Sequence, residues 1–186
     1  MRILGIDPGY AIVGYGIIDT ERDNEVVDYG VIETPKEDPL PIRLQHIDES
    51  LRVIFETYKP DEVAIEELFY FKNQKTVIQV AQARGVIVLA SQKYCGRTFE
   101  YTPIQIKQAL TGNGHAEKRQ MQFMVKNVLG LKSIPKPDDA ADALAVAICH
   151  SQINPRLNFN MMWGNYDCIF SWNYWRKIRK LSCYGC

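Results

Sequence analysis

The sequence predicts an α/β fold, and three observations support this prediction. Segments rich in β-branched and aromatic residues come first, segments with the apolar spacing of amphipathic helices follow, and further short strands lie between those helices. The chain has 186 residues, 46% of them hydrophobic and 24% charged, so it can bury one sizeable core but cannot form two large lobes. The predicted order of elements is βββαβαβααα.

Three strands are predicted at the start of the chain. The first is a nearly continuous apolar run ended by Pro8-Gly9, which is typical of a central strand buried on both faces. The next two are rich in β-branched and aromatic residues, and the polar residues 21–24 between them predict a loop between antiparallel strands. These strands are residues 2–7, 11–20 and 26–34.

Helices dominate the rest of the chain. Apolar residues recur every three or four positions from Leu44 to Tyr58, and Pro60 follows the end of that helix. The later helices are predicted from the same spacing, from Pro103 at a first turn and from an alanine-rich segment with Ala141 and Leu144 on one apolar stripe. The helices are residues 41–58, 74–93, 103–110, 116–129 and 138–150, and two further strands are residues 62–66 and 97–102.

The charges are segregated along the chain, although 22 basic and 22 acidic residues cancel overall. Residues 1–67 hold 16 acids and 6 bases, whereas residues 68–137 hold 2 acids and 11 bases. This cationic block is typical of a surface that binds a polyanion, although a solvated surface of interleaved charges remains an alternative.

Four carboxylates lie at positions predicted to be buried, where an unpaired charge is energetically unfavourable. Asp7 and Glu66 each end a buried strand, and Asp139 and Asp142 lie on a helix that otherwise faces the core. Carboxylates meeting at one rim of a sheet repel each other unless a cation neutralises them, and Mg²⁺ or Mn²⁺ suits such hard oxygen ligands. Helical spacing alone does not separate Asp138 from Asp139, and Asp138, just after Pro137, is expected to cap the helix.

An ordered set of short motifs covers roughly residues 1–150. The motifs are G-I-D-P-G at 5–9, G-Y-G at 14–16, A-I-E at 64–66 followed by Phe69 and Lys72-Asn73, Q-A-R-G at 82–85, A-E-K at 116–118 and D-A-A-D-A-L-A at 139–145. Together they resemble the RuvC family of Holliday junction resolvases.

The resemblance implies a ribonuclease H-like fold, with a mixed five-stranded sheet flanked by helices. It also implies an endonuclease active in DNA recombination and repair, which cuts two strands of a four-way DNA junction symmetrically and leaves 5′-phosphate ends. The catalytic and metal-binding residues it implies are Asp7, Glu66, Asp139 and Asp142, and in this family motif the acid before A-A-D is Asp139. Two Mg²⁺ ions per active site would serve the hydrolysis, and Mn²⁺ would substitute for them.

The resemblance further implies DNA-binding roles for Phe69, Lys107 and Lys118, a homodimer, and the RuvA–RuvB branch-migration complex as a partner. The helix from Gln74 onward, with Gly85 permitting close approach, is the expected dimer contact. His46, His115 and His150 need no catalytic role in metal-dependent hydrolysis, although His115 lies beside the cationic block and can contact DNA. No secretory segment follows Met1 and no run of 18 apolar residues occurs, so we expect a cytoplasmic protein with no membrane partner.

The last part of the chain differs in composition. We predict a nuclease domain at residues 1–155 and an atypical aromatic and basic tail of unknown role at residues 156–186, which holds all three tryptophans. One hypothesis for the tail is a basic amphipathic helix with Trp172 and Trp175 on its apolar side.

Other functions are compatible with parts of the sequence. A ribonuclease H-like nuclease can act on another nucleic acid, such as an RNA–DNA hybrid, and a protein of this kind can bind junctions without cutting them. An actin-like nucleotide-binding fold also opens with G-I-D-x-G, but it needs two lobes, and the chain is too short for them.

Overall fold

Five strands form one mixed sheet in the computed structural model, which describes residues 1–68 and 77–153. The order across the sheet is β3-β2-β1-β4-β5, so β1 is central. The fold class predicted from the sequence is confirmed. The strands are β1 (Arg2–Asp7), β2 (Ile12–Asp19), β3 (Glu25–Glu33), β4 (Glu62–Glu66) and β5 (Thr98–Tyr101), and the helices are α1 (Leu40–Tyr58), α2 (Val77–Tyr94), α3 (Pro103–Thr111), α4 (Lys118–Val128) and α5 (Asp138–Gln152).

The register of the central strands determines which strand ends meet. β1 pairs antiparallel with β2, and Asp7 faces Gly14 across that pair. β1 pairs parallel with β4, and Ile6 faces Ile65. Because parallel strands end at the same edge of a sheet, Asp7 and Glu66 come next to each other at one rim.

Helices cover both faces of the sheet. The alternation of side chains along β1 places Ile3 in a core formed with α3, α4 and α5, and Leu4 in a core formed with α1 and α2. Both side chains are fully buried, which explains why this strand is an unbroken apolar run. Among the described residues, none of the helices is long and apolar enough to cross a bilayer.

Helix α5 lies at the centre of one core and is buried on nearly every side. The predicted stripe with Ala141 and Leu144 is buried, and burial extends beyond it because α5 lies between the sheet and helices α3 and α4. Small residues let it approach the sheet: a Cβ on Gly5 would lie 2.2 Å from the Ala143 carbonyl oxygen. The alanine-rich sequence of α5 therefore serves close packing as well as helix formation.

The polar segment between β2 and β3 is more ordered than a simple loop. Thr20–Arg22 form a 3₁₀ turn, and Asp19 caps it by accepting a hydrogen bond from the Glu21 amide. Asp23 follows with a positive φ of 60°. Asp and Asn tolerate this left-handed region, so the polar segment reverses the chain between the two strands.

Candidate active site

Two carboxylates meet at the rim where β1 and β4 end. Asp7 is the last residue of β1 and Glu66 the last residue of β4. Their side chains are hydrogen-bonded to each other. Two carboxyl groups can share a hydrogen bond only when one of them is protonated, and the raised pKa of Asp7 favours its protonated form.

Helix α5 brings two further acids to the same rim. Gly14 lies opposite Asp7 on β2, and a Cβ on Gly14 would lie 2.1 Å from the Asp139 carbonyl oxygen. This glycine therefore lets the first turn of α5 lie against the strand next to Asp7. Asp142 follows one turn later on the helix, and both helical acids interact electrostatically with Asp7.

Burial and mutual repulsion define the electrostatics of this acid cluster, which comprises Asp7, Glu66, Asp139 and Asp142. Burial raises the pKa of Asp7 well above its usual range, and the negative charges of Glu66, Asp142 and Asp139 raise it further. Burial also raises the pKa of Asp142, although Lys118 opposes this effect. The cluster therefore carries more negative charge than its surroundings neutralise.

Lys118, the first residue of α4, is the cation that contacts this cluster. Its Nζ lies 3.2 Å from Asp142 Oδ2 and 3.5 Å from Asp138 Oδ2. Partial burial acts to lower the pKa of the Lys118 ammonium, but the Asp142 and Asp138 carboxylates outweigh it and raise that pKa. Lys118 is therefore a permanent positive charge beside the acids at neutral pH.

A cleft of about 530 Å³ opens beside the acid cluster. Its lining includes Glu66 and Asp142 of the acid cluster and three basic side chains, Lys107, His115 and Lys118, together with apolar residues. Such a cleft is chemically suited to a nucleotide chain, because cations can contact phosphates while apolar side chains face sugars or bases. Its full lining is Glu66, Pro103, Ile106, Lys107, His115, Ala116, Glu117, Lys118, Met121, Asp142 and Ala145.

The acids do not form a ready-made metal cage. Within residues 1–68 and 77–153, no three Asp, Glu, His or Cys side chains have the arrangement of a metal site. The carboxyl groups are instead engaged with each other and with Lys118. The donor set still fits hard divalent cations, because clustered carboxylate oxygens with excess negative charge are the ligands that such ions prefer.

The structure places most of the predicted site residues around this rim. The four acids interact electrostatically, and Lys107 on α3 and Lys118 on α4 line the adjoining cleft. Phe69, the third predicted DNA-binding residue, lies outside the described residues, as do Lys72-Asn73 and the predicted tail at residues 156–186.

The predicted helix cap at Asp138 was wrong. Pro137 occupies the N-cap position of α5, and no side chain caps this helix. Asp138 is the first residue of the helix, and its carboxylate pairs with Lys136 and Lys118 instead. A cap residue must precede the helix, so the proline displaced the capping position by one residue.

Sequence reasoning missed the pairing of Lys118 with Asp142. The two residues lie 24 positions apart on different helices, so no local pattern reports their contact. The sequence predicted for His115 only that it can contact DNA. In the structure this exposed residue lines the cleft. Its amide is held by the Asn113 side chain at 3.0 Å, a contact typical of turns rich in Asn and Gly.

The sheet order and the acids at its rim define a ribonuclease H-like protein, and comparisons with known proteins identify the family. A family model described as crossover junction endodeoxyribonuclease RuvC matches residues 3–150. RuvC of Petrotoga mobilis is 58% identical over 151 residues, which are 81% of this chain and 93% of the relative. The chain belongs to the RuvC family.

Solved structures of that family share the fold. The structure of Thermus thermophilus RuvC matches with a TM-score of 0.76 at 32% identity, covering 85% of this chain and 97% of that one. Another structure, of the same organism's RuvC in complex with Holliday junction substrate, matches with a TM-score of 0.75 at 34% identity, covering 82% and 93%.

Proposed function

We propose that this chain resolves four-way DNA junctions, cutting two strands symmetrically by metal-dependent hydrolysis that leaves 5′-phosphates. The observation that carries this proposal is the acid cluster at the rim, next to a cleft lined by lysines, in a chain of the RuvC family. Resolution of such junctions completes homologous recombination and serves DNA repair.

The four acids of the cluster are proposed to hold two Mg²⁺ ions, with Mn²⁺ able to substitute. The bound ions would supply an activated water and stabilise the charge on the leaving 3′ oxygen. Asp7 would be a central ligand of this site, because Glu66, Asp142 and Asp139 all interact with it. Binding would replace the proton shared by Asp7 and Glu66 and relieve the repulsion between the acids.

The lysines of the cleft are proposed to hold the DNA backbone. Lys107 and Lys118 lie on different helices and reach the same cleft as the acids. A phosphate between them would lie close to the acid cluster, where the cations offset its repulsion from the carboxylates. Phe69 is proposed to stack on a base at the junction, which contributes about 1–3 kcal/mol per base in other proteins.

A homodimer is proposed to form through the outer face of α2. Ile78 and Leu89 on this helix are 70% and 69% exposed, and Gly85 between them has no neighbour within 4 Å of a Cβ position. The spacing of these three residues, with Gln82 and Gln92, forms one stripe along the helix. A second copy of the chain is the proposed occupant, since two cuts in one junction require two active sites.

The dimer proposal is tested by Leu89→Glu, which places a charge on the stripe. We expect the variant to sediment as a monomer and to nick single strands without paired cuts. A dimer of unchanged stability would exclude this face as the contact.

By family resemblance, the RuvA–RuvB complex is the proposed partner and the cytoplasm the proposed location.

The function is tested by incubating the purified chain with a four-way junction, a linear duplex and an RNA–DNA hybrid, each with and without Mg²⁺. We expect symmetric nicks in the junction only, and only with the metal. Cleavage of the hybrid would favour a ribonuclease, and binding without cleavage would favour a non-catalytic junction protein.

A further inference from the structure

An alternating chain of charges connects Lys136 to the acid cluster. Lys136 Nζ lies 2.7 Å from Asp138 Oδ1, and Lys118 Nζ lies 3.5 Å from Asp138 Oδ2. The same Lys118 ammonium lies 3.2 Å from Asp142 Oδ2. Asp138 thus uses one oxygen for each lysine, and Lys118 is shared between an acid of the cluster and an acid outside it.

Stability does not explain this arrangement. The side chains of Lys136, Lys118 and Asp138 are 73%, 55% and 42% exposed. Ion pairs at such exposure contribute about 0–1 kcal/mol to folding. Asp138 also provides no cap for α5, so replacing it should lower the free energy of unfolding only slightly.

Binding of cations to the acid cluster would disturb the contact between Lys118 and Asp142. A divalent ion held by Asp142 would repel the Lys118 ammonium and compete with it for the Asp142 carboxylate. Without another partner, Lys118 would either compete with the ion or leave the rim of the cleft. Asp138 lies at the start of the same helix as Asp142 and offers a second carboxylate within reach.

We propose that Asp138 is a positioning residue: it accepts Lys118 when cations displace that lysine from Asp142, and so keeps the ammonium at the cleft for a DNA phosphate. Lys136 holds the other oxygen of Asp138 and fixes the orientation of its carboxylate. This inference rests on the proposed function, because it assumes that the acid cluster binds divalent cations and the cleft binds DNA.

The test measures the melting temperature of the full chain without DNA as Mg²⁺ is titrated, so the readout does not depend on cleavage. Ligand binding to the native state raises this temperature, and the titration gives a half-saturating Mg²⁺ concentration. In Asp138→Asn, Lys118 keeps its pairing with Asp142 but loses the second carboxylate, so it would compete with the ion. We expect this concentration to rise roughly fivefold, the scale of a modest coupling between sites, while the metal-free melting temperature stays close to that of the wild type.

Two controls separate positioning from a simple change in charge. Glu67→Gln removes the same charge next to Glu66, and we expect it to have less effect than Asp138→Asn. In a Lys118→Gln background, Asp138→Asn should have no further effect, because the lysine that it positions is gone. Asp138→Glu should restore most of the wild-type behaviour.

Specific outcomes would overturn the inference. An unchanged Mg²⁺ titration in Asp138→Asn, or an equal shift with and without Lys118, would exclude positioning through that lysine. Neither result affects the proposed function, which is tested separately by cleavage of the junction. If the wild type shows no melting response to Mg²⁺, both this inference and the proposed metal site fail, whereas junction binding remains open to direct measurement.

Discussion

The two glutamates of β4 lie in opposite electrostatic environments, although they are four residues apart on the same strand. Glu62 begins the strand, and its Oε2 lies 2.8 Å from His150 Nε2, with Arg97 Nη1 3.9 Å from Oε1. Glu66 ends the strand; its side chain is hydrogen-bonded to Asp7, and it lines the same cleft as Asp142. Glu62 has a hydrogen-bond donor and a cation as neighbours, whereas Glu66 adds to an excess of negative charge.

The environment of Glu62 is that of a structural hydrogen-bond network. The His150 ring is fully buried, and its Nδ1 lies 2.7 Å from the Tyr101 hydroxyl. A neutral imidazole satisfies both neighbours when Nε2–H donates to Glu62 and Nδ1 accepts from Tyr101. Burial lowers the pKa of His150, and the hydrogen bond to Glu62 only partly offsets it. The network therefore joins β4, β5 and α5 without an unpaired charge.

The comparison shows that residue type does not separate a structural acid from a candidate catalytic one. Both glutamates lie at an end of the same buried strand, and each interacts with a side chain from another element: Glu62 with His150 of α5, and Glu66 with Asp7 of β1. What differs is whether the groups next to each carboxylate donate hydrogen bonds and carry positive charge or are themselves acidic. A carboxylate surrounded by donors stabilises the fold, whereas carboxylates surrounded by carboxylates remain able to bind a cation.

Glu66→Gln is expected to have the largest effect. It should reduce junction cleavage by roughly 10³-fold or more, as removal of an essential catalytic group does in other enzymes, because a proposed metal ligand is lost. Single-turnover cleavage of a synthetic junction gives the rate, and gel-shift binding without metal should show retained affinity. The matched control is Glu62→Gln, which should cut the junction at nearly the wild-type rate when folded. If the two variants lose activity equally, the distinction between the two ends of β4 is wrong.

His150→Ala should mainly affect stability. It leaves a cavity and removes partners from Glu62 and Tyr101, so we expect the free energy of unfolding to fall by about 3–5 kcal/mol. Urea denaturation with a chelator present measures this loss. Cleavage per folded molecule at low temperature should remain near that of the wild type. A loss below about 1 kcal/mol would show that neither the hydrogen bonds nor the packing of His150 contributes much to stability.

The acid cluster and the His150 network should change the free energy of unfolding with pH in opposite directions. The pKa of Asp7 is raised above its usual value of 3.8, so its protonation favours the native state, and that contribution is lost as the pH rises through the raised value. The pKa of His150 is lowered from 6.5, so its contribution falls as the pH drops below 6.5. In chelator, Asp7→Asn should therefore be more stable than the wild type at pH 7, and the difference should vanish towards pH 4. Denaturation series across this range measure it, and a constant difference would contradict the assignment to Asp7.

Tyr101→Phe should have the smallest effect. It removes one hydroxyl and leaves His150 Nδ1 without its hydrogen bond, which should cost about 1–2 kcal/mol of unfolding free energy. Thermal denaturation detects such a change, and junction cleavage should not be altered. Altered cleavage instead would connect the structural network to the active rim.

The sequence by itself determined the order of elements and the strand-end acids. The apolar run of residues 2–7 ends at Asp7, and the short strand 62–66 ends at Glu66, because strand periodicity and turn residues are local properties of the chain. The family motif, rather than spacing, favoured Asp139 over Asp138. The prediction that Asp138 caps α5 failed because a proline took that position.

Only the tertiary structure decided how these acids are partnered. Glu62 and His150 are 88 residues apart, and Lys118 reaches Asp138 and Asp142 from another helix. The tertiary structure also decided that α5 is buried on nearly every side, because its neighbours α3 and α4 come from distant parts of the sequence. Electrostatic environment depends on distance in space, which local sequence patterns do not encode, so the sequence could place the carboxylates at strand ends but could not show which of them would be neutralised.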